Sequence, residues 1–404
     1  LDLAAKNNPS SPMAYINRAN SYFMSNQREK ALADLEKAEK LDIKEPHTRL
    51  RLAMTLINAN QLERAEKQLE KLHQQEPENQ SLWNIWARLA LKSGSQQKMQ
   101  KIAQQGLAQL SAQPWDFMLS AVELFIGSNK PDRAEECLEK LRNKEIALQA
   151  LAYYEGLIAQ LRGNQYQAVK CFNEAIKLGN NDPKVKLTLA RCLSNVGNNQ
   201  QASKVLRQLI SQNPENYRAH LALADLAVKQ RDYSQAQESA QLALQLSPQS
   251  LQASYLLLQS QIEALPEDAA QTQPQTVQQL QNRLNQLQKA AGQQADFDLL
   301  KFRLAIKTNN YEQAETLLTQ LKNQNPDNVK FAMTEVELLA SQNKTDQAVS
   351  LAKDLLKEFP DSAQPPVILA TLYAREDNRP QAQQVIEDAL TRLGNPQAKK
   401  QLKL

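Results

Sequence analysis

The chain has 404 residues, with 48 Lys or Arg against 44 Asp or Glu, so its net charge is only +4. This near balance gives no case for a nucleic-acid-binding protein, which usually presents a strongly basic face or tail. No apolar run approaches the roughly eighteen residues of a membrane span, so the sequence predicts none. The three cysteines form no CxxC pair, which argues against a disulfide scaffold and against a zinc site.

Alanines recur along the chain, and most successive members of the series lie 34 residues apart. The spacing of apolar residues between them, at three and four, is typical of amphipathic helices, and no sheet is expected. A repeat of about this length with two helical patterns cannot bury its own apolar face and must stack on its neighbours. The alanines are Ala31, Ala65, Ala134, Ala168, Ala202, Ala236, Ala314, Ala348 and Ala382.

The frame divides the chain into five stretches, and we expect the whole to be a piece of a longer protein because both ends interrupt a repeat. The predicted order is the tail of a truncated repeat at 1–11, an array of about seven repeats at 12–250 with degenerate copies at 80–148, one extended repeat with an inserted loop at 251–294, three further repeats at 295–396, and the start of a truncated helix at 397–404.

One stretch shows the repeat pattern clearly. Residues 149–182 place Gly156 in the first helix and Ala168, Phe172 and Ala175 in the second. A small residue in the first helix, an Ala–apolar–Ala series in the second and, in several copies, a closing Pro resemble the tetratricopeptide repeat. The resemblance implies an all-α fold, a right-handed α-solenoid superhelix of about eleven helix-turn-helix units. Alanine belongs where two helices approach closely, since a larger side chain would overpack the contact.

The resemblance also implies a groove, lined by first helices, that binds an extended segment or a helix of a partner protein. Several of the residues placed in the groove are cationic, which favours an acidic partner segment; the alternative is that they are ordinary solvated charges. The predicted groove residues are Asn20, Arg51, Met54, Arg88, Tyr153, Leu157, Lys184, Arg191, Arg218 and Asp225.

Tryptophans are confined to the two degenerate repeats, at positions 83, 86 and 115. Trp83 falls on the bulky site of the repeat, which favours packing. Trp115 and Phe117 are predicted as a possible aromatic contact with a partner, because aromatic residues are prominent in binding hot spots.

The loop at 265–276 is the other irregular stretch. It either closes a longer repeat or projects as a docking site, since inserted loops in repeat arrays often carry function.

We find no catalytic motif and no metal-ligand cluster, and we therefore predict no enzyme activity, no metal and no cofactor. The favoured function is a non-catalytic protein-interaction scaffold of bacterial type, acting in envelope assembly or exopolysaccharide export. A periplasmic or outer-membrane-tethered location is slightly favoured over a cytoplasmic one. Two alternatives stay open: a regulatory or targeting module of a larger enzyme, and a polysaccharide-binding groove. The sequence does not determine the oligomeric state.

Overall fold

The computed structural model describes residues 6–112, 114–142, 148–266, 269–292, 295–324 and 328–392. Within these residues the chain forms 23 helices and no strand, which confirms the predicted all-α class. The predicted helix tail at 1–11 lies partly outside the described residues, and the predicted helix start at 397–404 lies wholly outside them.

The helices follow one another in pairs, and we number the pairs as repeats 1 to 11. The chain divides into two compact units, Leu1–Asn180 and Asn181–Leu404. Repeats 1 to 5 make up the first unit, with the helices α1 (Pro12–Met24), α2 (Arg28–Lys40), α3 (Pro46–Asn58), α4 (Leu62–Gln75), α5 (Gln80–Ser93), α6 (Gln96–Gln109), α7 (Trp115–Gly127), α8 (Pro131–Arg142), α9 (Leu148–Leu161) and α10 (Gln165–Lys177).

Repeats 6 to 11 make up the second unit. Repeat 8 has a third, short helix between its two long ones. The helices are α11 (Pro183–Asn195), α12 (Asn199–Gln212), α13 (Tyr217–Lys229), α14 (Tyr233–Leu246), α15 (Leu251–Glu263), α16 (Ala269–Thr272), α17 (Pro274–Ala291), α18 (Ala295–Lys307), α19 (Tyr311–Gln324), α20 (Val329–Ser341), α21 (Thr345–Glu358), α22 (Gln364–Arg375) and α23 (Arg379–Arg392).

The turn inside a repeat holds one residue in the left-handed backbone region, at the same place in nearly every copy. The φ angle is 56° at Asn26, 62° at Asn60 and 58° at Asn343, and 75° at Gly163. Asparagine and glycine occupy this region more readily than other residues, so the turn has its own 34-residue signature. Repeat 8 departs from it: none of the described residues in its longer connection has a positive φ.

The alanine frame marks the closest contacts between helices. Eight of the nine alanines, from Ala31 to Ala348, have no exposed surface, whereas Ala382 in the last described helix is half-buried. In the repeats that carry a fully buried frame alanine, the second helix is therefore packed against its neighbours at the position that the sequence predicts.

The degenerate repeats 3 and 4 pack differently at this contact between helices. Gly106 stands where the other repeats of the frame have alanine or leucine, and a Cβ atom added there would lie 2.6 Å from Phe117 Cε1. Met99 replaces the other alanine and is only 6% exposed. Large side chains from one helix thus fill the space that a small residue leaves on the other.

The long helix α17 packs through one stripe. Val277, Leu280 and Leu284 are buried, and they belong to a cluster that also holds residues of α15 and α18, such as Ile262 and Leu300. This is the position of a second helix in a lengthened repeat.

Candidate functional site

The first helices of successive repeats contact one another through polar side chains. We call the surface that these helices line the first-helix face of each unit. In the first unit, Asn20 Nδ2 on α1 donates to Thr55 Oγ1 on α3 at 3.4 Å. Further along, Tyr154 Oη on α9 donates to Glu123 Oε1 on α7 at 2.6 Å. Burial beside this carboxylate raises the pKa of the Tyr154 hydroxyl, which therefore remains a hydrogen-bond donor.

A small hydrogen-bond network covers the first-helix face at repeats 3 and 4. Asn84 Nδ2 donates to Asp116 Oδ2 at 3.1 Å, and Gln80 donates to the same oxygen. Ser120 Oγ donates to Asn84 Oδ1 at 3.4 Å. The Asp116 carboxylate therefore has amide partners from a neighbouring helix.

The predicted groove residues of the first unit differ in accessibility. Arg51 and Arg88 are exposed, and neither forms an ion pair within the described part of the chain. Met54, Tyr153 and Leu157 are half-buried. The half-buried Asn20 takes part in the contact between repeats 1 and 2. The role of these five residues and Asn20 as a binding surface remains a prediction.

The predicted aromatic contact splits into one exposed and one buried residue. Trp115 is 54% exposed, but Phe117 has no exposed surface and packs against Gly106. Phe117 is therefore not accessible to a partner, because it fills the space beside a glycine in the core. Trp83 and Trp86 are also buried and stack with ring centroids 5.4 Å apart.

Four predicted groove residues belong to the second unit, on α11 and α13. Lys184, Arg191 and Arg218 are exposed. None of the three forms an ion pair with a described carboxylate, and the Arg218 guanidinium donates a hydrogen bond to the hydroxyl of the neighbouring Tyr217. The Asp225 carboxylate, by contrast, pairs with Lys229 Nζ at 2.7 Å. The first-helix face of repeats 6 and 7 therefore carries excess positive charge.

A row of charged side chains, which we call the charged ladder, lies on repeats 8 to 11 and was not identified from the sequence. It consists of Glu263, Arg303, Glu337 and Arg375. Arg303 on α18 forms an ion pair with Glu263 on α15. Glu337 on α20 is close enough to Arg303 and Arg375 to interact with both electrostatically, but burial outweighs this attraction and raises the pKa of its carboxyl. Arg303 and Glu337 lie 34 residues apart, so the repeat frame contained the signal needed to find the ladder.

The cysteines are poor candidates for chemistry. Cys137, Cys171 and Cys192 are free and buried. Burial raises the pKa of the Cys137 thiol to about 11 and raises those of the other two. Since the thiolate is the nucleophile and the metal ligand, burial disfavours both roles for these thiols. Among the described residues, no cluster of His, Cys, Asp or Glu could hold a metal ion.

The histidines lie in unrelated surroundings. His220 is buried and its Nε2 lies 2.9 Å from the Pro214 carbonyl oxygen. His73 packs edge-on against Trp83, with ring centroids 5.2 Å apart. The described helices also include none that is long and apolar enough to cross a membrane.

Paired helices that repeat at a fixed period define a helical-repeat protein. Residues 153–254 match the family model of the cytochrome c-type biogenesis protein H tetratricopeptide repeat domain. General tetratricopeptide repeat models match residues 8–89 and 299–363. The three matches together cover more than half of the sequence. The chain belongs to the tetratricopeptide repeat family, as the resemblance predicted.

Solved structures with a similar fold share little sequence with the chain. A tetratricopeptide repeat protein from Parabacteroides merdae is 15% identical, with a TM-score of 0.46 over 63% of this chain and 96% of that one. Yeast Tom70 is 13% identical, with a TM-score of 0.43 over 98% and 95%. The human IFIT1 dimer with m7Gppp-AAAA is 16% identical, with a TM-score of 0.45 over 95% and 94%. At these TM-scores we draw no functional conclusion from the similarity. No curated protein matches the sequence significantly.

Proposed function

We propose that the chain is a non-catalytic scaffold whose first-helix face at repeats 6 and 7 binds an acidic segment of a partner protein. Tetratricopeptide repeats are protein-interaction modules, and this part of the face has cations without carboxylate partners. The observation that carries the proposal is the exposure of Lys184, Arg191 and Arg218 with no ion pair among the described residues. Charge complementarity of this kind sets partner choice and association rate.

We further propose that the partner belongs to a bacterial envelope-assembly or exopolysaccharide-export system, at a periplasmic or outer-membrane-tethered location. Two considerations support this pathway. Arrays of similar repeats occur in such systems, and residues 153–254 match the repeat domain of a protein named for cytochrome c-type biogenesis.

A polysaccharide-binding face has less support. Recognition of sugars would favour a row of exposed aromatic rings, whereas Trp83 and Trp86 are buried. Trp115 is the one exposed tryptophan in the described residues.

The test is an affinity purification from an envelope extract, with Arg191→Glu/Arg218→Glu compared with the unaltered chain. We expect the variant to fold normally and to lose the acidic partner, and the remaining binding to weaken as salt is added. The matched control is Lys204→Glu/Arg207→Glu, which makes the same charge change at exposed sites on the second helix α12.

Equal recovery of the same partners by both variants would contradict the acidic-segment proposal. Partners unrelated to the envelope, lost with Arg191→Glu/Arg218→Glu but kept by the control, would support the binding face and contradict the pathway.

A further inference from the structure

A cleft opens beside the long helix of repeat 8, between α17 and α19, with α18 as its floor. It consists of a cavity of about 700 Å³ and an adjoining one of about 320 Å³, and Lys301 borders both. Lys301 and Ala305 lie two residues before and after Arg303, so they face roughly the opposite side of α18. The cleft is therefore separate from the first-helix face that carries Arg303.

The α17 wall of the cleft is a stripe of primary amides. The stripe runs beside the buried apolar stripe of the same helix, at spacings of one and three residues, and it is formed by Gln278, Gln281, Asn282, Asn285 and Gln288. From residue 278 to Lys289 the helix rises about 16 Å, since each residue adds about 1.5 Å. An extended chain that advances about 3.3 Å per residue would place about five residues along it.

Part of this hydrogen-bonding capacity is unused within the molecule. Gln278 Nε2 donates to Asn282 Oδ1 at 3.2 Å, and Gln288 Nε2 donates to Asp298 Oδ1 at 2.9 Å. Gln281 and Asn285, between them, form no side-chain hydrogen bond with any described residue. A primary amide offers two donors and one acceptor, which match the carbonyl oxygen and the N–H of a peptide backbone.

One end of the cleft is positively charged. Lys289 and Lys301 both line the larger cavity, and neither forms an ion pair with a described residue. Asp298 supplies the one carboxylate among the described lining residues; it is 7% exposed and already accepts a hydrogen bond from Gln288. A carboxylate of a bound molecule would therefore find two cations at this end.

We propose that this cleft binds an extended segment of a partner polypeptide. The amides of Gln281 and Asn285 pair with its main chain, and a carboxylate of the segment lies at the end marked by Lys289 and Lys301. The described lining residues include no aromatic ring, so a sugar would lack a stacking platform. An amphipathic helix is disfavoured because the wall is a row of amides rather than an apolar stripe.

The experiment is selection of peptides on the full chain from a synthetic library of linear heptapeptides, half with free and half with amidated carboxyl ends. Enriched peptides are then titrated by fluorescence anisotropy. We expect acidic or free-carboxyl ends to dominate, and we expect Gln281→Ala/Asn285→Ala and Lys289→Glu/Lys301→Glu each to weaken binding by about tenfold or more. Survival of binding after amidation would identify an acidic side chain, and its loss would identify the chain terminus.

Two matched variants control for the helix and for the charge. Gln279→Ala/Gln286→Ala alters exposed amides of α17 that do not line the cleft, and Lys204→Glu/Lys344→Glu alters two exposed lysines elsewhere in the second unit. Both should bind the selected peptides like the unaltered chain. So should Arg191→Glu/Arg218→Glu, because the cleft is independent of the proposed function at repeats 6 and 7.

The proposal is overturned if no heptapeptide is enriched, or if selected peptides bind both pairs of cleft variants unchanged. Circular dichroism and limited proteolysis verify that each variant is folded, so a lost peptide cannot be mistaken for a lost fold.

Discussion

Repeats 3 and 4 and repeat 8 both depart from the regular frame, but they pack differently. At repeats 3 and 4 large side chains fill the core near the irregular positions: Phe117 lies on Gly106, and Trp83 stacks on Trp86. At repeats 8 and 9 the extra residues lengthen the connection before α17, and a polar cleft remains between α17 and α19.

The clusters of buried apolar residues also differ between the two units. In the first unit one cluster extends from Ile16 to Ile158. In the second unit they fall into several clusters; one of them holds residues of α17 and Leu304 of α18, and another holds Phe302 of α18 and residues of α19. The comparison teaches that a lost consensus residue does not by itself open a repeat array. The array stays closed when other side chains fill the space between the helices, because close packing couples neighbouring repeats.

The largest expected loss of stability comes from removing a buried tryptophan ring from repeat 3. Trp83→Ala should lower the free energy of unfolding by about 3–5 kcal/mol, because it leaves a cavity where a fully buried ring was stacked. Trp115→Ala is the matched control at a 54% exposed position and should change it by less than about 0.5 kcal/mol. Urea denaturation followed by circular dichroism measures both. Equal effects would mean that repeats 3 and 4 are not held by this packing.

Overpacking the contact at Gly106 should cost less. Gly106→Ala should destabilise by about 1–3 kcal/mol, since the new methyl group meets the Phe117 ring. Adding Phe117→Leu should recover part of that loss by making room. If Gly106→Ala alone were as stable as the unaltered chain, the close contact between Gly106 and Phe117 would be contradicted.

The regular frame should respond alike in both units. Ala168→Leu in the first unit and Ala202→Leu in the second should each destabilise by about 1–3 kcal/mol, because both alanines are fully buried. Ala374→Leu, at an exposed position, is the control. Unchanged melting of the two buried variants would show that the 34-residue register is wrong.

A pH series should distinguish the charged ladder of the second unit from the aromatic packing of the first. Burial raises the pKa of the Glu337 carboxyl above its ordinary 4.5, against the attraction of Arg303, Arg375 and Lys330 and together with the repulsion of Glu263. The folded state then binds the proton more tightly than the unfolded state, so this contribution to stability is complete below pH 4.5 and is lost as the pH rises through the raised pKa.

Glu337→Gln should therefore flatten the fall in unfolding free energy that the unaltered chain shows above about pH 4.5. Glu335→Gln, on the same helix but paired with Lys322 at 2.7 Å, should leave that fall in place. Parallel curves for the unaltered chain and Glu337→Gln would contradict a raised pKa.

The smallest effect is expected in the cleft. Gln281→Leu and Gln320→Leu should each change the free energy of unfolding by less than about 0.5 kcal/mol, because neither side chain forms a hydrogen bond with a described residue. A loss as large as that of Gly106→Ala would show that the amides hold repeats 8 and 9 together, and the contrast between the two regions would fail.

Much of the fold could be predicted because the repeat signal is local and occurs many times. Ala168 and Ala202 mark the same helix contact in different repeats. One repeat alone would be weak evidence for the fold, but many repeats with the same residue at the same position are strong evidence. The ladder of Arg303 and Glu337 could also have been found, since both stand at one position of the frame. The burial of Phe117 was not foreseen, because only the neighbouring Gly106, eleven residues earlier, makes room for it.

The sequence by itself determined the class of fold, the period of the repeats and the family, because each depends on spacings within a few turns of helix. Only the tertiary structure decided which irregular repeat is refilled and which is open. It also decided which of the predicted cations are without partners and that an amide-lined cleft follows α17. These properties depend on the distances between helices from different repeats, and no spacing along the chain fixes those distances.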